Sequence, residues 1–510
     1  MKINLIEFFV ETVGRLGDNV AIVDGNTALS FRDLDEDCRR LARIIIDRCE
    51  CKNRPIAVFL PKSAHALTAD IAITYSGNAY MNLDVKNPAE RLCSIIDLIR
   101  PVTIITSLRY QSFIEPIAGD TVNIIYIDDS SDSLPVPDAG FFLDRNSDLI
   151  DTDPYCIINT SGSTGVPKGV VLNHRSFIDF MAQTFDEFSF SEIDVIGSLS
   201  PIVFDIWSYE LCLLMGKGTR IVTIPEMYSA FPAKILQLMQ EQHVSYIFWV
   251  PTIMVNIANM GLLQQIPLPD LRLCWFAGEV FPTKQFNIWR KALPQTTFAN
   301  FYGPIEITLD CVYYTVNRDL ADDEPIPIGK PFRNTGIIIL DENNQQITEP
   351  DREGELCVRG TSLAMGYYNN PEKTASAFVQ NPLNTTHPEI IYRTGDMAII
   401  NERGELVFKG RKDSLIKHLG YRIELGEIEH VIINSLKMIQ NGCVVYNRRR
   451  KEITLYYEAG EEIPAASFRK AIGNTLPKYM IPTVYHYLPE LRRNTNGKID
   501  RLYYSKLVND

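Results

Sequence analysis

The 510-residue chain is expected to fold as an α/β protein. The expected plan is a large N-terminal domain of parallel-rich sheets with helices, carrying a small β unit, followed by a small α+β C-terminal domain. Three observations predict this. Apolar runs with strand character alternate with helical patterns over about the first 400 residues, and strands separated by helices imply parallel sheets. From residue 336 short strands follow one another across polar turns, as in an antiparallel unit. Residues 413–510 hold 15 Lys and Arg against 11 Asp and Glu, a net +4, while the preceding residues carry −17. That asymmetry sets a boundary at Lys412-Asp413, dividing the chain into 1–412 and 413–510.

The elements follow in order. Residues 56–60, 102–106 and 122–127 read as buried strands. Residues 90–100 carry Leu92, Ile95, Ile96 and Ile99 at helical spacing. Residues 336–340, 354–359 and 405–409 read as the strands of the β unit, with a hairpin-like turn at 341–344. The basic run 448–451 fits a solvated turn between two strands.

Composition narrows the function classes. Hydrophobic residues make up 45%, charged residues 22% and aromatics 10%, the values of an ordinary globular protein rather than a disordered, collagenous or coiled-coil one. A net charge of −13 argues against a dedicated nucleic-acid binder. No stretch reaches the roughly 18 apolar residues of a membrane helix. Glu7 and Glu11 interrupt any signal-peptide core, so a cytoplasmic protein with no membrane partner is expected. The ten cysteines are scattered, only Cys49 and Cys51 lie close, and reduced thiols are expected. The seven histidines lack zinc-site spacing.

The most informative segment runs from Ile157 to Gly169. An apolar strand enters Thr160, Ser161, Gly162, Ser163, Thr164 and Gly165, followed by Val166, Pro167 and Lys168. Glycines let backbone amides approach an anion, successive amides form an anion-binding nest, hydroxyls add donors, and Lys168 adds a charge. This is the chemistry of a polyphosphate cradle. It is not a Walker loop, because Lys168 lacks a preceding Gly and a following Ser or Thr.

This segment resembles the signature of the adenylate-forming enzymes, a superfamily that includes acyl-CoA synthetases, luciferases and the adenylation domains of nonribosomal peptide synthetases. The resemblance extends in order along the chain. Leu29-Ser30-Phe31-Arg32-Asp33-Leu34 resembles the first core motif, Tyr302-Gly303-Pro304-Ile305-Glu306 the adenine and metal motif, and Tyr392-Arg393-Thr394-Gly395-Asp396 the ribose motif. Gly410-Arg411-Lys412-Asp413 and the segment from Gly420 to Glu429 resemble the hinge and the loop after it. Asn496-Gly497-Lys498-Ile499-Asp500-Arg501 resembles the terminal lysine motif. The last two are of the peptide-synthetase kind.

The resemblance implies two half-reactions. A carboxylate attacks the α-phosphate of ATP, giving an acyl-adenylate and pyrophosphate, and a thiol then displaces AMP. It implies that Lys498 is the catalytic cation and Glu306 the protein ligand of Mg2+. Thr164, Lys168 and Gly420 would also serve catalysis. Tyr302 would stack on adenine, Asp396 would hold the ribose hydroxyls, and Arg411 would reach the ribose or phosphates. Ala277, Gly278, Glu279, Phe301 and Gly303 complete the implied nucleotide site, and Asp413 is the implied hinge of a mobile C-terminal domain. One departure stands out: Ile305 occupies a position where the family has Thr or Ser. Losing a hydrogen bond to a charged group costs roughly 1.5–3 kcal/mol.

The segment 201–210 resembles the substrate motif of the peptide-synthetase branch, in which Asp205 would pair with a substrate ammonium. A carboxylate in an apolar run is costly without a partner. The other reading of Asp205 is an N-cap for a helix starting at Ile206. The implied pocket wall is Phe204, Ile206, Tyr209, Phe248, Trp275, Ala277, Phe301, Leu309 and Asp310. Its aromatics favour a small amino-acid side chain. Asp310 either hydrogen-bonds a polar side chain or is neutralised locally. Residues 278–282 also resemble the D-alanine-activating ligases of teichoic acid modification.

No site for attaching a phosphopantetheine arm is found, so the acceptor thiol is expected from a separate carrier protein or from coenzyme A. The readings are a stand-alone amino-acid:carrier-protein ligase, a coenzyme A ligase for a small acid, and a non-catalytic relative suggested by Ile305. Asp205 separates the first from the second, because an acid without an ammonium gives it no task.

Overall fold

The computed structural model describes residues 2–119, 122–128, 135–161, 167–412, 415–493 and 499–509. They form two compact units. One comprises Met1–Asp84, Pro101–Ile158 and Val170–Lys412, the other Val85–Arg100, Asn159–Gly169 and Asp413–Asp510.

In the first unit the expected parallel strands form two sheets. The nine-stranded sheet has the parallel strands Val20–Asp24, Arg220–Thr223, Val195–Ser198, Tyr246–Trp249, Leu273–Phe276 and Thr297–Tyr302, in that spatial order, with antiparallel strands at both edges. In the seven-stranded sheet Pro154–Thr160, Ala79–Asn82, Pro55–Phe59, Thr103–Thr106 and Asn123–Tyr126 run parallel. Strands such as Pro55–Phe59 and Leu273–Phe276 are buried throughout, which explains their unbroken apolar sequence. One core joins the sheets, with Tyr80 and Tyr155 on one side and Phe248 and Trp275 on the other. Helices Ala64–Tyr75 and Asp205–Lys217 are almost wholly buried and mostly apolar, as central helices must be.

The first core motif is a helix start. Ser30 caps Phe31–Cys49 by accepting from the Asp33 amide, and Asp33 accepts from the Ser30 amide in return. The β unit is antiparallel as expected, with Thr335–Leu340, Gly354–Gly360, Ile390–Ile400, Phe378–Gln380 and Leu406–Arg411 in one sheet.

In the second unit, helices Leu425–His430, Ala465–Ile472 and Arg501–Asn509 accompany a sheet of Asn441–Asn447, Glu452–Glu458 and Val484–Tyr487. Ile423, Val444, Leu455 and Phe468 form its core. The basic residues 448–451 are exposed in the turn between the first two of these strands. Among the described residues no helix is long and apolar enough to cross a membrane.

Candidate active site

In the first unit, strand Thr297–Tyr302 delivers Phe301 and Tyr302, and Gly303 follows. A Cβ at Gly303 would lie 2.4 Å from the Leu309 carbonyl oxygen and 2.5 Å from the Asp310 Cα, so only glycine lets the returning loop approach. That loop turns through Thr308 and Leu309 with φ of 53° and 62°. Two successive non-glycine residues in the left-handed region are costly, and such strain clusters at functional sites. The Cys311 amide donates to the Tyr302 carbonyl at 2.9 Å and closes the turn.

Tyr302, Asp396 and Arg411 form one cluster. The Tyr302 hydroxyl donates to Asp396 Oδ2, and Arg411 lies 2.5 Å from Oδ1. Pairing of strands Ile390–Ile400 and Leu406–Arg411 sets Asp396 opposite Arg411. The Asp396 amide donates to Thr394 Oγ1 at 2.9 Å, so the carboxylate is fixed at its backbone as well. Burial, followed by the Asp396 charge, raises the Tyr302 phenol well above its ordinary range. The phenol therefore stays protonated as a donor.

Glu306 lies fully buried in the turn Ile305–Ile307 and accepts from the Tyr367 hydroxyl at 2.8 Å. Ile305 is buried in the main core, which accounts for an apolar residue at this position. Gly278 follows strand Leu273–Phe276 with φ of 89°, a value that favours glycine. Glu279 accepts from the Thr252 amide at 3.0 Å and from its hydroxyl, tying this loop to the start of helix Pro251–Asn259.

The expected pocket wall is drawn together around Trp275. Its ring stacks on Tyr209 at 5.6 Å and 15°, lies 4.2 Å from Phe301, and meets Phe248 at 5.5 Å. Ile206, Ala277, Leu309 and Asp310 are also buried. Further rings that sequence reading did not single out complete the cluster. Phe188 and Tyr246 touch Trp275, while Tyr313 and Phe332 touch Phe301. The wall is therefore continuous with the core.

Asp205 is the first residue of its helix. Phe204 holds the cap position without a side-chain bond, which corrects the reading of Asp205 as an N-cap. Asp205 Oδ1 instead accepts from the Ile206 amide at 3.0 Å.

The segment before this helix rests on two polar supports absent from the sequence reading. Lys62 donates to the carbonyls of Ser198 at 2.5 Å and Ser200 at 3.1 Å. Asp70 accepts from Asn82 at 3.0 Å and from the Trp207 indole at 2.7 Å, and Asn82 also donates to the Ile202 carbonyl at 3.1 Å. Asp70 thus braces both sides of Asp205. A carboxylate inside the apolar helix Ala64–Tyr75 was the available signal.

Burial pushes the Asp70 carboxyl up from 3.8 to about 7, partly opposed by its Asn82 and Trp207 bonds. The folded chain therefore binds this proton more tightly than the unfolded one. The resulting stabilisation is complete below the ordinary value and is lost as pH rises through about 7. A shift of this size corresponds to on the order of 4 kcal/mol. Asp70→Asn should therefore gain melting temperature relative to wild type as pH rises from about 5 to about 8. A difference that stays flat over that range would show that Asp70 does not titrate there.

The second unit holds the described ends of the glycine-rich loop. Ser161 Oγ donates to the Arg422 carbonyl at 2.8 Å and accepts from the Glu424 amide at 3.0 Å. Lys168 pairs with Glu424 at 2.6 Å. Thr160 Oγ1 is buried without a hydrogen-bond partner among the described residues. Gly420 forms a two-residue hairpin turn with Leu419, at φ of 83° and 53°, both positive as a type I′ turn requires. Gly162, Ser163, Thr164, Gly165, Asp413 and Lys498 lie outside the described residues.

Comparison with known proteins agrees with this architecture. The family model for AMP-binding enzymes matches residues 9–368. The dimodular nonribosomal peptide synthase of Bacillus subtilis (strain 168) is 30% identical over 514 residues, covering 98% of this chain and 20% of that protein. Zwittermicin A synthase ZmaJ of Bacillus cereus is 29% identical over 99% of this chain and 95% of its own length. Gramicidin S synthase 1 of Brevibacillus brevis is 28% identical over 97% of this chain, which spans 44% of it. The chain thus spans less than half of two of these three relatives.

Among solved structures, the Vibrio cholerae adenylation domain AlmE in complex with glycyl-adenosine-5'-phosphate superposes with a TM-score of 0.84 at 19% identity, over 99% of this chain and 98% of that one. A protein containing adenylation and PCP domains, bound to a vinylsulfonamide inhibitor, gives 0.82 at 23% identity, over 98% and 84%. The chain belongs to the AMP-binding enzyme family of the adenylate-forming superfamily. Its class is that of an AMP-forming, ATP-dependent acid ligase.

Proposed function

We propose that this protein forms an aminoacyl-adenylate from ATP and a small amino acid, and passes the aminoacyl group to the phosphopantetheine thiol of a separate carrier protein in the cytoplasm. Asp205 carries this reading. It opens the helix that carries Ile206 and Tyr209 into the same buried core as Trp275, and its carboxylate suits a substrate ammonium. Tyr209, Phe248, Trp275 and Phe301 are in ring contact, and a wall of such bulky side chains favours a small substrate side chain.

In this proposal residues 1–412 form the adenylation core and 413–510 a mobile domain hinged at Asp413. Residues 160–165 and Lys168 cradle the phosphates. Tyr302 flanks the adenine, Asp396 accepts from the ribose hydroxyls, Arg411 reaches the ribose or phosphates, and Lys498 supplies positive charge to the reacting carboxylate.

Glu306 suits Mg2+. It is a buried hard oxygen donor, and no cluster of three or more His, Cys, Asp or Glu able to cage a metal occurs among the described residues. Mg2+ bound through one carboxylate and substrate phosphates keeps several waters, and it would neutralise phosphate charge.

ATP–pyrophosphate exchange across the proteinogenic amino acids, both alanine enantiomers, β-alanine and simple acids tests the reading. Glycine, alanine or serine should lead. A preference for aromatic or long basic amino acids, or for acids lacking an ammonium, would overturn it.

Trp275→Gly should shift exchange toward larger side chains, and Phe301→Ala should act similarly. Because Trp275 is fully buried, its truncation should also cost about 3–5 kcal/mol of stability. Unchanged selectivity in a folded Trp275→Gly variant would remove this residue from the pocket wall.

A further inference from the structure

The ten cysteines are all free, and seven are buried; only Cys49, Cys51 and Cys93 are half-buried. Two of these three stand one residue apart. Cys49 ends helix Phe31–Cys49, and Glu50 turns the chain with φ of 21° and ψ of 16°. Residues i and i+2 cannot lie further apart than about 7 Å between Cα atoms, even in an extended chain. That limit is the upper edge of the disulfide range, and the turn at Glu50 shortens it further.

The two thiols are close enough for each to shift the other's titration. Cys49 Sγ also lies 3.2 Å from the Ile45 carbonyl, and Cys51 Sγ lies 3.7 Å from Asn78 Oδ1. Two cations lie nearby, of which Lys52 is itself paired with Asp148. Arg145 donates to the Cys51 carbonyl at 3.0 Å, and Lys52 donates to the Arg145 carbonyl at 2.5 Å.

We propose that Cys49 and Cys51 form a thiol–disulfide exchange site for low-molecular-weight disulfides, closing to an intramolecular Cys49–Cys51 disulfide. The Cys49 thiolate attacks one sulfur of the incoming disulfide, expelling one small thiolate and leaving a mixed disulfide on Cys49. Cys51 loses its proton to solvent and attacks the Cys49 sulfur, expelling the second small thiolate. One disulfide bond is consumed and one is formed, so the small disulfide is the oxidant and is reduced to two thiols. The neighbouring Cys51 thiol, opposed by burial, lowers the Cys49 thiol below its ordinary range, while Cys49 and burial raise Cys51. This order makes Cys49 the attacking group, since the thiolate is the nucleophile.

The test uses the folded full-length protein with oxidised glutathione as probe. Remaining thiols are blocked with N-ethylmaleimide, and the peptide containing both cysteines is weighed. The expected product lacks two hydrogens, carries no glutathione, and forms at least about tenfold faster than an adduct at Cys93. Cys51→Ser should trap glutathione on Cys49, and Cys49→Ser should slow the reaction at Cys51 and abolish the closed product. Two glutathiones on the wild-type peptide, or reaction no faster than at Cys93, would overturn the proposal. So would a Cys51→Ser variant that captures none.

Discussion

Replacing Asp205 with alanine is expected to remove amino-acid activation. The substrate ammonium would enter a pocket walled by Tyr209, Phe248, Trp275 and Phe301 with its counter-charge gone. Truncating one partner of a buried charge pair costs roughly 2–5 kcal/mol, which is about 30-fold to several-thousand-fold in apparent affinity or kcat/KM. The structure supplies a sharper variant. Asp205 Oδ1 accepts from the Ile206 amide at 3.0 Å, a bond that asparagine can keep while losing the charge. Asp205→Asn should therefore leave the helix start intact, with a wild-type melting temperature, and still lose exchange with the preferred amino acid. The deaminated analogue of that substrate should lose little in either variant. Unchanged apparent affinity for the amino acid in Asp205→Asn would reduce Asp205 to a helix-start residue.

Much of the fold was legible because buried parallel strands are apolar from end to end. The predicted strand at 56–60 corresponds to Pro55–Phe59, and the predicted helix at 90–100 to Ala89–Ile99. The run 160–168 stood out in the sequence because Gly, Ser, Thr and a following Lys have few other reasons to cluster. What stayed hidden depends on distant pairing. The contact that makes Gly303 obligatory comes from the backbone of residues 309–310 folding back. Asp70 and Asn82 meet across twelve residues of chain and then reach Trp207 and the Ile202 carbonyl far along it. Phe188, Tyr313 and Phe332 lie outside every motif, yet they share one buried core with Trp275 and Phe301. The same physics explains why Trp275 reads as wall and core at once: large rings bury area wherever they converge.

The other large effect is expected at Lys498. The first half-reaction drives a carboxylate onto a polyphosphate, so its transition state gathers negative charge that a positioned cation relieves. Removing one preorganised stabilising group of this kind typically lowers kcat by about 10²–10³. The neighbouring cations already have acid partners. Arg501 is held by both oxygens of Glu429 at 2.6 Å, Arg492 lies 3.5 Å from Asp500, and Arg493 lies 3.9 Å from Glu458. Arg493 and Ile499, on either side of the motif, form an isolated antiparallel bridge. Lys498→Ala should therefore nearly abolish pyrophosphate exchange while equilibrium ATP binding persists. Transfer from preformed aminoacyl-adenylate to a pantetheine thiol should fall far less, because that step forms no bond to a polyphosphate. Measuring exchange, nucleotide binding and thiol transfer on one preparation separates these expectations. Wild-type exchange in Lys498→Ala would remove the lysine from the chemistry. Loss of ATP binding in parallel with exchange would make it a nucleotide-binding residue instead.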